Sequence, residues 1–213
     1  MPDDQPTGGI SGGTGNRVQL HREGETPYSF FVYQQVYDAQ GNPVENAFVD
    51  RNGNGKIDEG DRYLYKSPFA PITMGFGTDL NYKNWDLNIT TRANIGNYVY
   101  NNTQSRLDQF GEITANSGFL RNIKANSNFQ RHNDQSWLSD YYLENASFFK
   151  LDNITLGYTF PHTDKMYIRL YGTVQNVLTI TKYSGLDPEV YGGIDNNFYP
   201  RPQTYLLGLN VNF

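Results

Sequence analysis

Cysteine is absent from this 213-residue sequence, which excludes disulfides and thiolate metal sites. No apolar run approaches the roughly 18 residues of a membrane-crossing helix. The opening MPDDQPTGGISGGTGN has neither a basic n-region nor an apolar h-region, so it is not a signal peptide. Basic charge is scarce too: 17 Lys and Arg stand against 22 Asp and Glu, for a net charge of -5. With no basic patch interleaved with aromatics, nucleic acid is not an expected partner. Abundant instead are aromatics, at 15% of residues, with 17 Tyr and 21 Gly. A chain rich in Tyr, Asn, Gly and Thr but poor in Leu and Ala predicts many strands joined by polar loops.

The patterning sharpens after residue 70. In ITMGFGTDLNY, Ile72, Met74, Phe76, Leu80 and Tyr82 share one face, and Thr73, Gly75, Gly77, Asp79 and Asn81 the other. After a turn at Lys83-Asn84, WDLNITTRANIG sets Trp85, Leu87, Ile89, Ala93 and Ile95 opposite Asp86, Asn88, Thr90, Arg92 and Asn94. Period-two alternation on both arms of a tight connection is a hairpin signature. Strands are also expected at 148–160 (FFKLDNITLGYTF), at 166–180 (MYIRLYGTVQNVLTI) after the turn PHTDK, and at 204–213 (TYLLGLNVNF). Between them lie polar stretches at 98–147 and about 181–203 without sustained periodicity. Before residue 70 only short β pieces are expected, at 17–22 and 29–37, and the second (SFFVYQQVY) is apolar on both faces.

The chain therefore divides into residues 1–70, an irregular stretch with short β pieces, and residues 71–213, long strands with loops. An antiparallel soluble sandwich also alternates in this way. Two features favour a transmembrane β-barrel instead: short and long connections take turns, and a full-length alternating strand ends in an aromatic residue. The apolar face then meets outer-membrane lipid and the polar face the lumen, with Tyr82 and Trp85 in an interfacial girdle. Five clear strands are too few for a single-chain membrane barrel, which needs at least eight. An open sheet in lipid would leave unpaired backbone groups, so the expectation is the C-terminal segment of a larger barrel.

Several stretches carry a resemblance: SFFVYQQVYDAQGNPV, VDRNGNGKIDEGDRYLYKSP, YKNWDLNITTRANIGNYVYNN, SFFKLDNITLGYTF and QNVLTITKYSGLDPEV. With the terminal strand they resemble, in order and spacing, the C-terminal part of the SusC/RagA-like TonB-linked outer-membrane receptors of Bacteroidetes. The resemblance implies an all-β, antiparallel, 22-stranded barrel with long extracellular loops and short periplasmic turns. It also implies import of glycans or peptides with a SusD-like surface lipoprotein. A plug domain and a segment contacting the TonB complex would lie outside this chain. Gly208, Val211 and Phe213 resemble the C-terminal signal read by the barrel-assembly machinery, although Leu206 stands where that signal usually has a polar residue.

The strongest local motif is DRNGNGKIDEGD, residues 50–61. Asp50, Asn52, Asn54 and Asp61 occupy ligand positions one, three, five and twelve of a calcium loop, Lys56 offers its carbonyl, and Asp58 acts directly or through water. Gly55 sits where the loop turns sharply. Calcium takes six to eight oxygens, which this spacing can supply. Asp at position twelve resembles dockerin loops, and the flanks do not read as the paired helices of a switching EF-hand. The resembling receptors commonly carry Asp where Asn54 stands, so affinity should be reduced. A plain Asn-Gly turn cluster is the structural alternative.

No catalytic site is nominated, and no enzyme activity is expected. Gly75-x-Gly77 lacks a following helix, His21, His132 and His162 lack triad partners, and no carboxylate pair faces a cleft. Substrate-binding residues are not assignable, although Phe110, Phe119, Phe129, Trp137, Tyr141 and Tyr142 in the 98–147 loop have sugar-contacting chemistry. For each of them loop packing is the expected role. A secreted, calcium-stabilised β module that binds carbohydrate is the rival reading.

Overall fold

A computed structural model of the chain describes residues 4–10, 16–114, 118–125, 127, 129–131, 133–161, 166–197 and 199–212. The chain groups into two compact units that exchange segments along the sequence. The first holds residues 1–69, 97–146 and 183–198, and the second residues 70–96, 147–182 and 199–213. The first crossing coincides with the change in patterning near residue 70. Both long loops, however, belong with the N-terminal stretch.

In chain order, β1 (Gln5–Gly9), β2 (Arg17–His21), β3 (Ser29–Val32), β4 (Gln35–Tyr37), β5 (Pro43–Phe48) and β6 (Tyr63–Leu64) lie in the first unit. The second unit begins with β7 (Ile72–Tyr82) and β8 (Trp85–Ile95). The chain then returns for β9 (Tyr98–Tyr100), helix α1 (Asn102–Leu107) and β10 (Leu143–Asn145). It completes the second unit with β11 (Phe148–Phe160), β12 (Tyr167–Thr181) and β13 (Thr204–Asn212).

The second unit is one antiparallel sheet in the order β13-β12-β11-β8-β7. Tyr82 pairs with Trp85 across the two-residue turn, where Lys83 takes a left-handed φ of 55°. The register carries one apolar face across all five strands. Met74 pairs with Ala93, Ala93 with Phe149 and Phe149 with Ile180; farther along, Leu80, Leu87 and Leu156 align. On the same face Leu170 meets Leu209 and Gly172 meets Leu207. Its large side chains stand exposed among the described residues: Phe76 is 65% exposed and Leu207 81% exposed. Its polar interruption at Thr91 directs the hydroxyl onto the Phe76 carbonyl, 3.2 Å away.

The opposite face is a polar ladder. Arg92 Nε lies 2.7 Å from Asp152 Oδ2, and Arg169 grips Asp86 through two N–H groups, Nε at 2.8 Å and Nη2 at 2.5 Å. The Thr155 and Thr173 hydroxyls bond at 2.8 Å, and Asn88 donates to Asp79 at 2.7 Å. Alternation within β11 changes parity at its middle, with Phe149 and Leu151 before and Ile154, Leu156 and Tyr158 after. The pairing explains this change. Leu151 faces Thr91 while Asn153 faces Thr90, so Asp152 is an extra bulged residue. Beside it β12 also departs from simple pairing, stepping from Leu178 to Gln175, with Asn176 at a left-handed φ of 51°.

The first unit is held by short elements around a core of Val18, Phe30, Val32, Tyr100, Phe129, Tyr142, Leu143 and Ile194. Its main sheet runs β1-β2-β3-β6, with β4–β5 and β9–β10 as separate pairs. The two-faced apolar run 29–37 finds its explanation here. Phe30 and Val32 point into the core, while Phe31 lies beneath the Arg62 guanidinium, 4.3 Å from its ring centroid. That guanidinium also donates to the Phe31 carbonyl and, at 2.6 Å, to the Arg17 carbonyl. Its burial holds the Arg62 pKa below the ordinary value. Buried cations survive where backbone oxygens replace water in this way.

Candidate functional site

The 50–61 loop closes on its own side chains. Asp50 accepts the N–H groups of Gly53 at 2.7 Å, Asn54 at 3.2 Å and Gly55 at 2.7 Å. Gly55, at a φ of 78°, makes the sharp turn its place in the motif requires. Asn52 accepts from Asn54 N, and Asn54 from Lys56 N. At the far end Asp61 is fully buried and accepts from Arg51 N, Asn52 N and Asp58 N at 2.8, 3.1 and 2.9 Å. Those amide bonds, first that of Asp58, hold its carboxyl below the usual range despite burial. Asp58 caps a short 3-10 turn over Glu59–Asp61.

The six sequence-selected residues are thus brought into one loop, but not as a ready-made metal cage. The Asn54 carboxamide donates to Asp58 Oδ2 at 2.9 Å, an amide nitrogen directed at a carboxylate. Among the described residues no three His, Asp or Glu side chains converge to hold a metal. The donor set is oxygen-rich and mixed, two amides with three carboxylates, which is hard-ion chemistry.

The loop is tied to the 133–142 segment. Gln135 Nε2 donates to the Ile57 carbonyl at 2.9 Å. Arg51 lies 4.4 Å from the centroid of the Tyr63 ring, whose hydroxyl donates to Asp140 at 2.8 Å. Burial raises the Asp140 pKa, opposed by the N–H of Gln35 and the Tyr63 hydroxyl. The Tyr63 hydroxyl is pushed up by burial and by Asp140, and Tyr37 by burial to about 12.

Of the terminal-strand residues, Gly208 pairs with Tyr171 on the polar face and Val211 with Ile168 on the apolar one. A Cβ at 208 would lie 2.2 Å from the Tyr171 ring, so glycine makes room for that ring. Leu206 faces Thr173 on the polar side, which is why a polar residue would suit it better. Phe213 lies outside the described residues, as do His132 and His162. His21 is in β2, stacked edge-on against Tyr28, and Gly75 and Gly77 are strand residues of β7.

The aromatic loop residues separate into two groups. Phe129 and Tyr142 are core, whereas Phe110 and Phe119 stand exposed. Helix α1 has no counterpart in the sequence reading. Its signal was Asn101-x-x-Gln104, a capping spacing in which Asn101 Oδ1 accepts the Gln104 N–H at 2.9 Å. Six residues are too few to show periodicity.

No protein-family model matches the chain. A TonB-dependent receptor SusC of Bacteroides thetaiotaomicron is 45% identical over 96% of the chain, which spans 21% of that receptor. TonB-dependent receptor P3 of Formosa agariphila is 32% identical over 92% of the chain and 23% of its own length. Among solved structures, the RagAB peptide importer in its open-open state matches with a TM-score of 0.67 at 22% identity, over 93% of this chain and 24% of that one. The RagAB peptide transporter matches with a TM-score of 0.66 at 24% identity, over 94% and 24%. The chain therefore spans roughly a fifth to a quarter of the proteins it resembles, and their names are those of receptors and importers.

Proposed function

Because the chain belongs with the SusC/RagA-like TonB-dependent receptors and corresponds to their C-terminal part, we propose that it forms barrel wall and extracellular loops of an outer-membrane importer. The carrying observation is the uncovered apolar face, continuous from Ile72 on β7 to Val211 on β13, backed by a polar ladder. A soluble module would bury or break a patch of that extent, whereas lipid solvates it. The exposed face weighs against the secreted carbohydrate module.

In this reading the sheet sits in the bacterial outer membrane, and its free edges on β7 and β13 pair with strands outside the chain. The barrel-assembly machinery reads β13 through Gly208, Val211 and Phe213. The TonB complex acts on other parts of the receptor. A SusD-like surface lipoprotein works with the 98–147 and 183–198 loops to capture a glycan or peptide. The likeness to a peptide importer supports the transport class and leaves the cargo class to experiment.

Calcium, held by Asp50, Asn52, Asn54, Asp58 and Asp61 with the Lys56 carbonyl, braces the 50–61 loop. Two observations support the fit: oxygen donors at calcium spacing, and carboxylates of Asp50, Asp58 and Asp61 that all turn back onto the backbone of this one loop. The ties through Gln135 and Tyr63 extend that bracing to the 133–142 segment.

The test is impermeant maleimide labelling of the full-length receptor on intact cells, in a cysteine-free background. Phe119→Cys in the long loop should label from outside, and Asn84→Cys in the short turn only after the outer membrane is permeabilised. Labelling of Asn84→Cys but not Phe119→Cys on intact cells would reverse the topology and overturn the proposal.

A further inference from the structure

We infer that Asn54 is a self-modifying residue: the Gly55 backbone nitrogen attacks its side chain, ammonia leaves, and a carboxylate takes its place in the 50–61 loop. Only the consequence for ion binding rests on the calcium reading above. Asn-Gly occurs twice in the sequence, at 52–53 and 54–55, and both pairs lie in this loop. Both glycines take a left-handed φ, 71° and 78°, and residues 52–56 are exposed. A Cβ at Gly55 would meet no atom within 4 Å, so nothing crowds its nitrogen from that side. Without a side chain of its own, a glycine nitrogen is the backbone nitrogen most open to a neighbouring carboxamide.

The groups this step needs surround Asn54. Its Oδ1 accepts the Lys56 N–H at 2.8 Å, which polarises the carboxamide and stabilises the oxyanion that forms on attack. The Gly55 N–H donates to Asp50 Oδ2 at 2.7 Å, so the proton that must leave the nucleophile already faces a carboxylate. The Asn54 nitrogen, the leaving group, donates to Asp58 Oδ2 at 2.9 Å, and this bond fixes the carboxamide's orientation. Nucleophile and electrophile sit on adjacent residues, so their encounter is intramolecular. Asn52 has a looser version of the arrangement. The Gly53 N–H also donates to Asp50 at 2.7 Å, but the Asn52 nitrogen is 3.5 Å from Asp58 Oδ1.

The step balances as a hydrolysis. The Gly55 nitrogen bonds to Asn54 Cγ and gives its proton to Asp50. The Cγ–Nδ2 bond then breaks, and the proton departs with the amide nitrogen as ammonia. Water opens the resulting cyclic imide at either carbonyl, giving an aspartyl or an isoaspartyl residue. One water is consumed and one ammonia released, with no redox change. The product alters the charge of the loop. Where an amide nitrogen now points at Asp58, a carboxylate oxygen would face another carboxylate, and a cation relieves that repulsion. A fourth carboxylate beside Asp50, Asp58 and Asp61 raises calcium affinity, because affinity follows the charge count of the ligands.

The experiment ages the full-length receptor in detergent at neutral pH with a calcium chelator. Peptide mapping by mass spectrometry then follows each asparagine and separates aspartyl from isoaspartyl products. A synthetic peptide of residues 50–61, aged alongside, gives the rate without the fold. Asn54 should convert about tenfold or more faster in the receptor than in the peptide, and faster than Asn52. Asp50→Asn keeps the side chain's size but removes its carboxylate, and should bring the Asn54 rate down to that of the peptide. An Asn54 rate in the wild type at or below the peptide's, or one unchanged by Asp50→Asn, would overturn the inference. Calorimetry on Asn54→Asp reads the consequence separately: its calcium affinity should exceed that of unaged wild type by about tenfold. A receptor that converts at Asn54 while neither form binds calcium keeps the modification and loses the calcium reading.

Discussion

At position 208 one methyl group would collide with the Tyr171 ring, since a Cβ there would lie 2.2 Å from it. Overpacking of this kind costs about 1–3 kcal/mol, so Gly208→Ala should lower the urea midpoint of the folded receptor. Adding Tyr171→Ala should restore most of it if glycine serves packing. A double variant that stays defective in membrane assembly while regaining stability would place the role of Gly208 in recognition by the assembly machinery. In the 50–61 loop, the proposed calcium site predicts that Asp50→Ala with Asp61→Ala lowers calcium affinity by calorimetry and unfixes the loop; unchanged binding would contradict the proposal. Asp61 also sets a pH dependence. Its folded pKa lies below the ordinary 3.8, chiefly through the Asp58 N–H, so its contribution is complete above that value. It is lost as pH falls through the lowered value. Rate-corrected amide exchange at Arg51 and Asn52 should therefore stay protected down to about pH 4, and Asp61→Ala should remove that protection at every pH.

At the scale of elements, legibility followed length and regularity. The hairpin of β7 and β8 was readable to its turn, because strict alternation over eleven residues admits one register. β11 was readable in extent but not in detail. Its apolar residues change parity at Asp152, and only pairing shows that one bulged residue turns that carboxylate toward Arg92. Helix α1 was not legible, being six residues long and stabilised by a cap and tertiary bonds instead of an amphipathic stripe. The two faces of the sheet predict opposite tolerances. Leu207→Arg near the middle of β13 places a charge on the apolar face and should cost about 2–4 kcal/mol in bilayers. Thr155→Asn on the polar ladder should cost under 1 kcal/mol or so, because loss of a single hydroxyl bond is modest. Equal costs for the two in lipid unfolding titrations would deny the face assignment.

At the scale of the whole molecule, chain order hides the organisation. Residues 97–146 and 183–198 read as loops between strands because they lack period. They nevertheless supply Tyr100, Phe129, Tyr142, Leu143 and Ile194 to a core shared with Val18, Phe30 and Val32 of the N-terminal stretch. Non-local packing of this kind leaves no periodic trace, so composition alone could say only that these segments are polar and aromatic. The same holds for a hollow lined by Thr103, Leu107, Ser184 and Leu186, whose walls come from positions some eighty residues apart.

The central claim is that the uncovered face of the five-stranded sheet meets lipid. Nitroxide labels on single cysteines at positions 74 and 207, against labels at 88 and 173, in the full-length receptor reconstituted into bilayers, test it most directly. The account predicts that the first pair is relaxed by oxygen and shielded from a water-soluble nickel chelate. The second pair should show reduced oxygen contact and greater access to the chelate. Chelate access equal at all four positions, or reversed between the faces, would contradict it.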